Sequence, residues 1–128
     1  NKKVLVIDDD GFCLEIARNF FENVQIESLT ATNSEEGICL LKNYSEEIGC
    51  ILVDYEMPGK NGQETMGLIK EFWRQVNKRE VPIFCCTGNT DKEFVEKVRK
   101  AGFSNVYEKP LNWKLIVNDV RKIINWDC

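Results

Sequence analysis

The chain has 128 residues, of which 43% are hydrophobic and 30% are charged, and its formal net charge is −4. This composition predicts one globular domain and excludes a disordered segment, and the acidic balance argues against direct binding of nucleic acid. The sequence contains neither an apolar run of about 18 residues nor a signal-peptide pattern. We therefore expect a cytoplasmic domain that makes no membrane contact of its own.

The chain has six cysteines and no histidine. The cysteines contain no C-x-x-C pair, and a structural zinc site normally requires such spacing, often completed by histidine. We therefore expect free thiols, most of them buried, in a reducing compartment.

Five apolar runs are predicted to be strands, and each is followed by a segment with helical periodicity. The predicted strands are residues 3–7, 25–31, 49–53, 81–86 and 105–107. The predicted helices begin near Phe12, Ser34, Gly62, Thr90 and Asn112. Strict alternation with short connections predicts a parallel sheet with helices on both faces, and the continuous apolar runs are typical of strands buried on both sides.

Several local signals refine these helices. In the first helix, the predicted buried face carries Cys13, Ala17, Phe20 and Val24. Asp10 and Asn112 are predicted helix caps, and either Asn33 or Ser34 is predicted to cap the second helix. Residues 90–93 fit a capping box for the fourth helix, and Gly102 is predicted to end that helix.

Polar residues follow four of the five predicted strands. Asp8 and Asp9 follow the first strand, Asp54 the third, Thr87 the fourth and Lys109 the fifth. Because the carboxyl ends of parallel strands share one edge of the sheet, these side chains can converge in one crevice. Taken singly, each could equally be an ordinary turn or surface residue.

This set of residue types points to phosphoryl chemistry. Clustered carboxylates without histidine or thiolate favour a hard ion, Mg²⁺ or Mn²⁺. The ammonium of Lys109 and the hydroxyl of Thr87 could bind oxygens of a transferring phosphoryl group. Asp54 could then act as the nucleophile and become an aspartyl phosphate.

The chain resembles the receiver domain of two-component response regulators over essentially its whole length. The matching segments are V-L-V-I-D-D at residues 4–9, V-D-Y-E-M-P-x-x-x-G at residues 53–62, Thr87, and the Lys109–Pro110 pair. The resemblance implies a flavodoxin-like α/β fold with five strands in the order 2-1-3-4-5. It also implies that Asp54 accepts a phosphoryl group from a phosphohistidine on a histidine kinase or histidine phosphotransfer protein.

The resemblance also implies roles for the other residues. Asp9, Asp54 and the backbone carbonyl of Glu56 would bind Mg²⁺ directly, and Asp8 would act through a metal-bound water. Thr87 and Lys109 would hold the phosphoryl oxygens, and the bond between Lys109 and Pro110 would be cis. Phosphorylation would shift the surface formed by the fourth helix, the fifth strand and the fifth helix, where a downstream target would bind.

The sequence departs from the family pattern at two positions. Gly88 stands where the family usually has alanine, and Val106 stands where an aromatic switch residue is common. Tyr107 is the next residue, but alternation along a strand puts it on the face opposite Val106. We therefore expect that Tyr107 does not replace the missing switch residue. Glu56, two residues after Asp54, would lie near any water that attacks the phosphate.

The parent protein is a separate question. Because the segment lacks histidine, its phosphoryl donor must come from a partner or from another part of the parent chain. The chain begins with Asn1, and we expect residues 1–128 to be a single receiver domain excised from a longer chain. The receiver of a hybrid sensor histidine kinase is favoured, and a standalone or DNA-binding regulator is the alternative.

Two other functions compete with this interpretation. Residues 8–11 resemble the D-x-D-G motif of haloacid-dehalogenase-like phosphatases, in which Asp8 would be the nucleophile and Asp10 the acid/base. The short chain and the unexplained Asp54 argue against that function. A pseudo-receiver, an interaction module that takes no phosphate, is the second alternative, and the complete set of acids, Thr87 and Lys109 argues against it.

Overall fold

Strand and helix alternate through residues 2–78 and 80–124, which are the residues that the computed structural model describes. The strands are β1 Lys3–Ile7, β2 Ser28–Ala31, β3 Ile48–Asp54, β4 Ile83–Thr87 and β5 Asn105–Glu108. The helices are α1 Gly11–Glu22, α2 Ser34–Asn43, α3 Gly62–Val76, α4 Lys92–Ala101 and α5 Trp113–Ile124. None of these helices is long and apolar enough to cross a bilayer.

The strands form one parallel sheet in the order β2-β1-β3-β4-β5, as predicted. The register pairs Ile7 with Val53, Asp54 with Cys86, and Thr87 with Glu108. The carboxyl ends of β1, β3, β4 and β5 are therefore aligned at one edge, which is the geometry that a shared crevice requires.

Each face of the sheet is covered by its own apolar layer. One layer packs Leu41 of α2, Ile69 of α3 and Val98 of α4 on the sheet. The other packs Phe21 of α1 and Ile116 of α5 on the opposite face. Full burial of each such aliphatic or aromatic side chain contributes about 1.5–3 kcal/mol, so the two layers together hold the strand ends rigidly in register.

The cysteines fit the prediction of free thiols. All five described cysteines are unbonded, and Cys50, Cys85 and Cys86 are buried in the sheet. Cys13 is partly exposed and Cys39 is exposed. Cys128 lies outside the described residues.

The predicted buried face of α1 is confirmed at Ala17 but is wrong at Cys13, Phe20 and Val24, which are only partly buried. The structure buries Leu14, Ala17 and Phe21, whereas Phe20 is only partly buried and stacks on Trp113 with ring centroids 6.4 Å apart. Phe21 meets the same indole edge-on at 6.3 Å. Two neighbouring apolar stripes run along α1, and only the position of α5 decides which of them faces the sheet.

Two strand boundaries also differ from prediction. β2 begins at Ser28, not at Gln25, because Gln25 adopts a left-handed conformation with φ 62° in the turn after α1. β4 begins at Ile83, not at Val81, because Pro82 has no amide hydrogen to donate to the sheet.

The caps are mostly as predicted. Asp10, Asn33 and Asn112 accept hydrogen bonds from the first turns of α1, α2 and α5, and Gly102 ends α4 with φ 117°. The predicted capping box at residues 90–93 is wrong. α4 is capped by Asp91, whose side chain makes no capping hydrogen bond.

Two glycines test how closely helices pack on the sheet. A Cβ added at Gly37 in α2 would lie 2.4 Å from Ile7 Cδ1, whereas a Cβ at Gly67 in α3 would meet nothing within 4 Å. We expect Gly37→Ala to lower the free energy of unfolding by about 1–3 kcal/mol because it overpacks the core. Gly67→Ala should raise it by about 0.5–1 kcal/mol through helix propensity. Urea unfolding of both variants measures the difference, and equal stabilities would contradict this close approach.

Candidate functional site

Three aspartates gather at the carboxyl edge of the sheet. Asp8 and Asp9 follow β1, Asp54 ends β3, and a carboxylate oxygen of each lies within 4.8 Å of those of the other two. Asp8 and Asp54 are buried, with 6% and 3% of their surfaces exposed, while Asp9 is exposed. The cluster forms because β1 and β3 are neighbours in the centre of the sheet.

Burial makes this cluster electrostatically costly. Burial raises the pKa of Asp54 to about 7, although a hydrogen bond from Lys109 opposes the shift. Burial also raises the pKa of Asp8, against the effect of the Asp10 amide, which donates to Asp8 Oδ1 at 2.9 Å. A cation bound between these oxygens would relieve the cost of ionising them.

Lys109 supplies a positive charge directly to Asp54. Its Nζ lies 2.6 Å from Asp54 Oδ1, and its backbone amide donates to the carbonyl of Thr87 at 2.9 Å. Burial alone would lower the pKa of Lys109, but its bonds with Asp54 outweigh that effect and raise it. The lysine is therefore protonated at neutral pH. The peptide bond between Lys109 and Pro110 is cis, as predicted.

Thr87 and Gly88 form the opposite wall of the crevice, and the side chain of Glu56 lies against them. The Thr87 hydroxyl, which is fully buried, donates to Glu56 Oε2. The amide of Gly88 donates to Glu56 Oε1 at 3.0 Å. Lys109 Nζ lies 3.9 Å from the same oxygen.

From its position two residues after Asp54, the sequence predicted that Glu56 lies near any water that attacks the phosphate. It did not predict that the Glu56 side chain accepts hydrogen bonds from Thr87 and Gly88. The loop turns there, since the Glu56 amide donates back to Asp54 Oδ1 at 3.2 Å. Such a turn brings the residue over the mouth of the crevice.

Val106 and Tyr107 lie on opposite faces of β5, as predicted. Val106 packs with the layer under α4, whereas Tyr107 is buried in the layer under α1 and α5. The Tyr107 hydroxyl donates to Asp119 Oδ2 at 2.7 Å, and its ring meets Phe84 edge-on at 5.5 Å. Tyr107 therefore belongs to the α5 face and has no path to Thr87.

An acidic crevice at the carboxyl edge of a doubly wound parallel sheet defines a class of flavodoxin-like domains that bind their ligand at the strand ends. The model of the protein family described as "Response regulator receiver domain" matches residues 4–121 of the chain. The chain belongs to the response regulator receiver domain family.

Individual comparisons agree with this assignment. Over 110 residues the chain is 31% identical to the probable C4-dicarboxylate response regulator DctR of Bacillus subtilis, covering 84% of this chain and 46% of that protein. It is 29% identical over 122 residues to the sensor histidine kinase CheAY of Helicobacter pylori, covering 94% of this chain and 15% of that protein. The chain thus spans less than half the length of both relatives.

A solved structure confirms the fold. A response regulator receiver domain protein from Clostridium thermocellum superposes with a TM-score of 0.84 at 24% identity, covering 99% of this chain and 97% of that one.

The chain is therefore a receiver domain of two-component signalling, a family that binds Mg²⁺ through acidic residues and interacts with histidine kinases or phosphotransfer proteins. The phosphatase-like alternative, in which Asp8 is the nucleophile, is not favoured, because the family match is to receiver domains and Asp54 lies in the acidic cluster with Asp8 and Asp9.

The raised pKa of Asp54 makes stability depend on pH. Because burial raises it from 3.8 to about 7, the folded state holds a proton that the unfolded state releases between these values. The Asp54 carboxyl therefore loses its contribution to stability as pH rises toward 7. In buffer free of divalent ions, Asp54→Asn should be more stable than the wild type at pH 8, by at least about 1 kcal/mol, since one pKa unit corresponds to about 1.4 kcal/mol.

Below about pH 3 that difference should disappear, because this is below the unfolded-state pKa of 3.8 and Asp54 is then mostly neutral in both states. Urea unfolding at about pH 3 and about pH 8 with a chelator measures it. The control is Asp91→Asn, a substitution of an exposed acid, which should change stability by less than about 0.5 kcal/mol at both pH values. A pH-independent effect of Asp54→Asn would contradict the prediction.

Proposed function

We propose that Asp54 is the phosphoacceptor of this receiver and takes a phosphoryl group from a phosphohistidine. The observation that carries the proposal is the buried Asp54 carboxylate, bonded to Lys109 at 2.6 Å and grouped with Asp8 and Asp9. Asp54 thus belongs to the acidic cluster and also contacts the ammonium that follows β5.

In the transfer, an Asp54 oxygen attacks phosphorus on the side opposite the imidazole. The new O–P bond forms as the P–N bond breaks, and the electron pair of the broken bond returns to the imidazole nitrogen, which takes up a proton. Lys109 would balance charge on the transferring group, and the Thr87 hydroxyl and Gly88 amide would donate to its oxygens.

The acidic cluster fits a divalent metal ion. Its donors are all carboxylate oxygens, which hard ions such as Mg²⁺ prefer. Burial raises the pKa of Asp8 and Asp54, and a bound cation would offset that cost of ionising them. We assign Asp9, Asp54 and the Glu56 backbone carbonyl as direct ligands, with Asp8 acting through water. Bound Mg²⁺ (or Mn²⁺) would neutralise charge on the phosphoryl oxygens.

The chain contains no histidine, so the phosphohistidine donor must lie on a kinase or phosphotransfer domain outside this segment. The similarity to CheAY supports the receiver of a hybrid histidine kinase as the parent. The free thiols of the five described cysteines support a reducing, cytoplasmic compartment.

We further propose that phosphorylation changes the surface formed by α4, β5 and α5, where a downstream target binds. The β4–α4 connection begins at Gly88, which lies in the crevice. A shift of this connection would reach α4 directly. With Val106 on β5 in place of an aromatic residue, that connection carries the signal.

Intact-mass measurement with Mg²⁺ and acetyl phosphate tests the phosphoacceptor. The wild type should gain one phosphoryl group, which should be absent in Asp54→Asn and in the wild type with a chelator. Asp8→Asn should still form some adduct, more slowly. An adduct that survives Asp54→Asn but is lost in Asp8→Asn would establish the phosphatase-like chemistry instead. No adduct, together with no Mg²⁺ binding, would establish a pseudo-receiver.

Mg²⁺ should stabilise the protein, because it binds the folded acidic cluster and has no such site in the unfolded chain. At a concentration about 100 times its dissociation constant, the gain in unfolding free energy is about 2.7 kcal/mol. Asp9→Asn, a substitution of an exposed cluster member, should lose most of this gain without losing the fold. The matched control Asp91→Asn should keep it. Urea unfolding with and without Mg²⁺ decides between these outcomes, and an undiminished gain in Asp9→Asn would remove Asp9 from the metal site.

A further inference from the structure

The side chain of Glu56 holds an unusual position in the crevice. Its two carboxylate oxygens accept from different groups, Oε2 from the Thr87 hydroxyl and Oε1 from the Gly88 amide. The ammonium of Lys109 lies 3.9 Å from Oε1. A carboxylate of the protein itself therefore occupies two donors of the crevice and lies next to the ammonium that is paired with Asp54.

These are the same donors that the proposed function assigns to the phosphoryl oxygens. A carboxylate resembles one face of a phosphoryl group, since it presents two anionic oxygens to neighbouring donors. The two anions cannot share the donors, because like charges at hydrogen-bonding distance repel strongly. Phosphorylation of Asp54 must therefore break the contacts of Glu56 with Thr87 and Gly88.

Glu56 is also free to leave. Its side chain is 47% exposed, so the carboxylate can rotate into water, where it regains hydration. Thr87, by contrast, is fully buried and also accepts from the Asn89 amide at 3.1 Å. The contact therefore breaks by movement of Glu56, while Thr87 keeps its inward position.

We propose that Glu56 is an internal stand-in for the phosphoryl group. It holds Thr87 and the β4–α4 connection drawn in before phosphorylation, and it competes with the incoming phosphoryl group for their donors. This proposal rests on the proposed function of Asp54. Glu56 is thus a positioning residue. Part of the binding energy of the phosphoryl group is used to displace Glu56, and only the remainder is available to change the surface at α4.

The first test is made without any phosphoryl group. In the ¹H–¹⁵N spectrum of the protein, Glu56→Ala should move the Gly88 amide proton upfield, because its charge-assisted hydrogen bond is lost. Glu56→Gln should move the Gly88 amide proton less far upfield than Glu56→Ala does, since the side-chain amide oxygen of glutamine still accepts from Gly88. Glu108→Ala is the matched control. Like Glu56→Ala, it removes one negative charge close to Thr87, because Glu108 pairs with Thr87 in the sheet. The Glu108 side chain is exposed and, among the described residues, makes no hydrogen bond to Thr87 or Gly88.

The second test uses beryllofluoride with Mg²⁺ as a noncovalent phosphoryl mimic, titrated by the same spectra. Glu56→Ala should bind it at least about tenfold more tightly than the wild type, because the charge-assisted hydrogen bonds from Thr87 and Gly88 to Glu56 no longer have to be broken. Loss of one such bond already corresponds to about tenfold in affinity. Glu56→Gln should lie between them, and Glu108→Ala should match the wild type within about twofold, as expected for an exposed charge.

The outcomes separate the two proposals. An unmoved Gly88 amide in Glu56→Ala, or an affinity no higher than that of the wild type, would overturn the role of Glu56 even if Asp54 is phosphorylated. Failure of every protein to bind beryllofluoride would overturn the proposed function, and with it the competition, even if the Gly88 amide moves as expected. Both expected results together would establish Glu56 as the stand-in.

Discussion

The ion pair between Asp54 and Lys109 is the interaction on which the rest of the site depends. A carboxylate with 3% of its surface exposed would cost several kcal/mol if it were ionised without a partner. The partner, Lys109, directly follows β5, and β4 lies between β5 and β3 in the sheet. The pair therefore exists only while all three strands keep their register. The two apolar layers supply that register, and the site therefore draws its geometry from the packing of the core.

The crevice has two electrostatically different sides. Asp8 and Asp9 form a side with excess negative charge, whereas Thr87, Gly88 and the amide-rich start of the β4–α4 connection form a side of donors. Asp54 lies between them. A cation suits the first side and an anion the second, so in the proposed function a metal ion and a phosphoryl group would each reduce the cost of binding the other. In the structure, Glu56 accepts hydrogen bonds from the donor side.

Most of this architecture could be predicted from the sequence, because strand–helix alternation and residues at strand ends are local patterns with one common topological solution. The errors lie where tertiary contacts decide. The choice between Phe20 and Phe21 on α1 depends on Trp113 of a distant helix. The direction of the Glu56 side chain depends on Thr87, 31 residues away. Periodicity and motif spacing contain no information on either.

Tyr55 gives the segment around Asp54, the proposed phosphoacceptor, a second attachment. Its ring meets Phe94 of α4 edge-on at 4.8 Å, and Phe103 lies 6.5 Å away. Three consecutive residues thus contact three different parts of the domain. Asp54 lies with the other aspartates, Tyr55 packs on α4, and Glu56 accepts from the β4–α4 connection. A change at Tyr55 that alters how α4 packs would also alter the backbone that presents Asp54. If Asp54 and the α4 surface act as proposed, one substitution here would change both phosphoryl chemistry and signalling output.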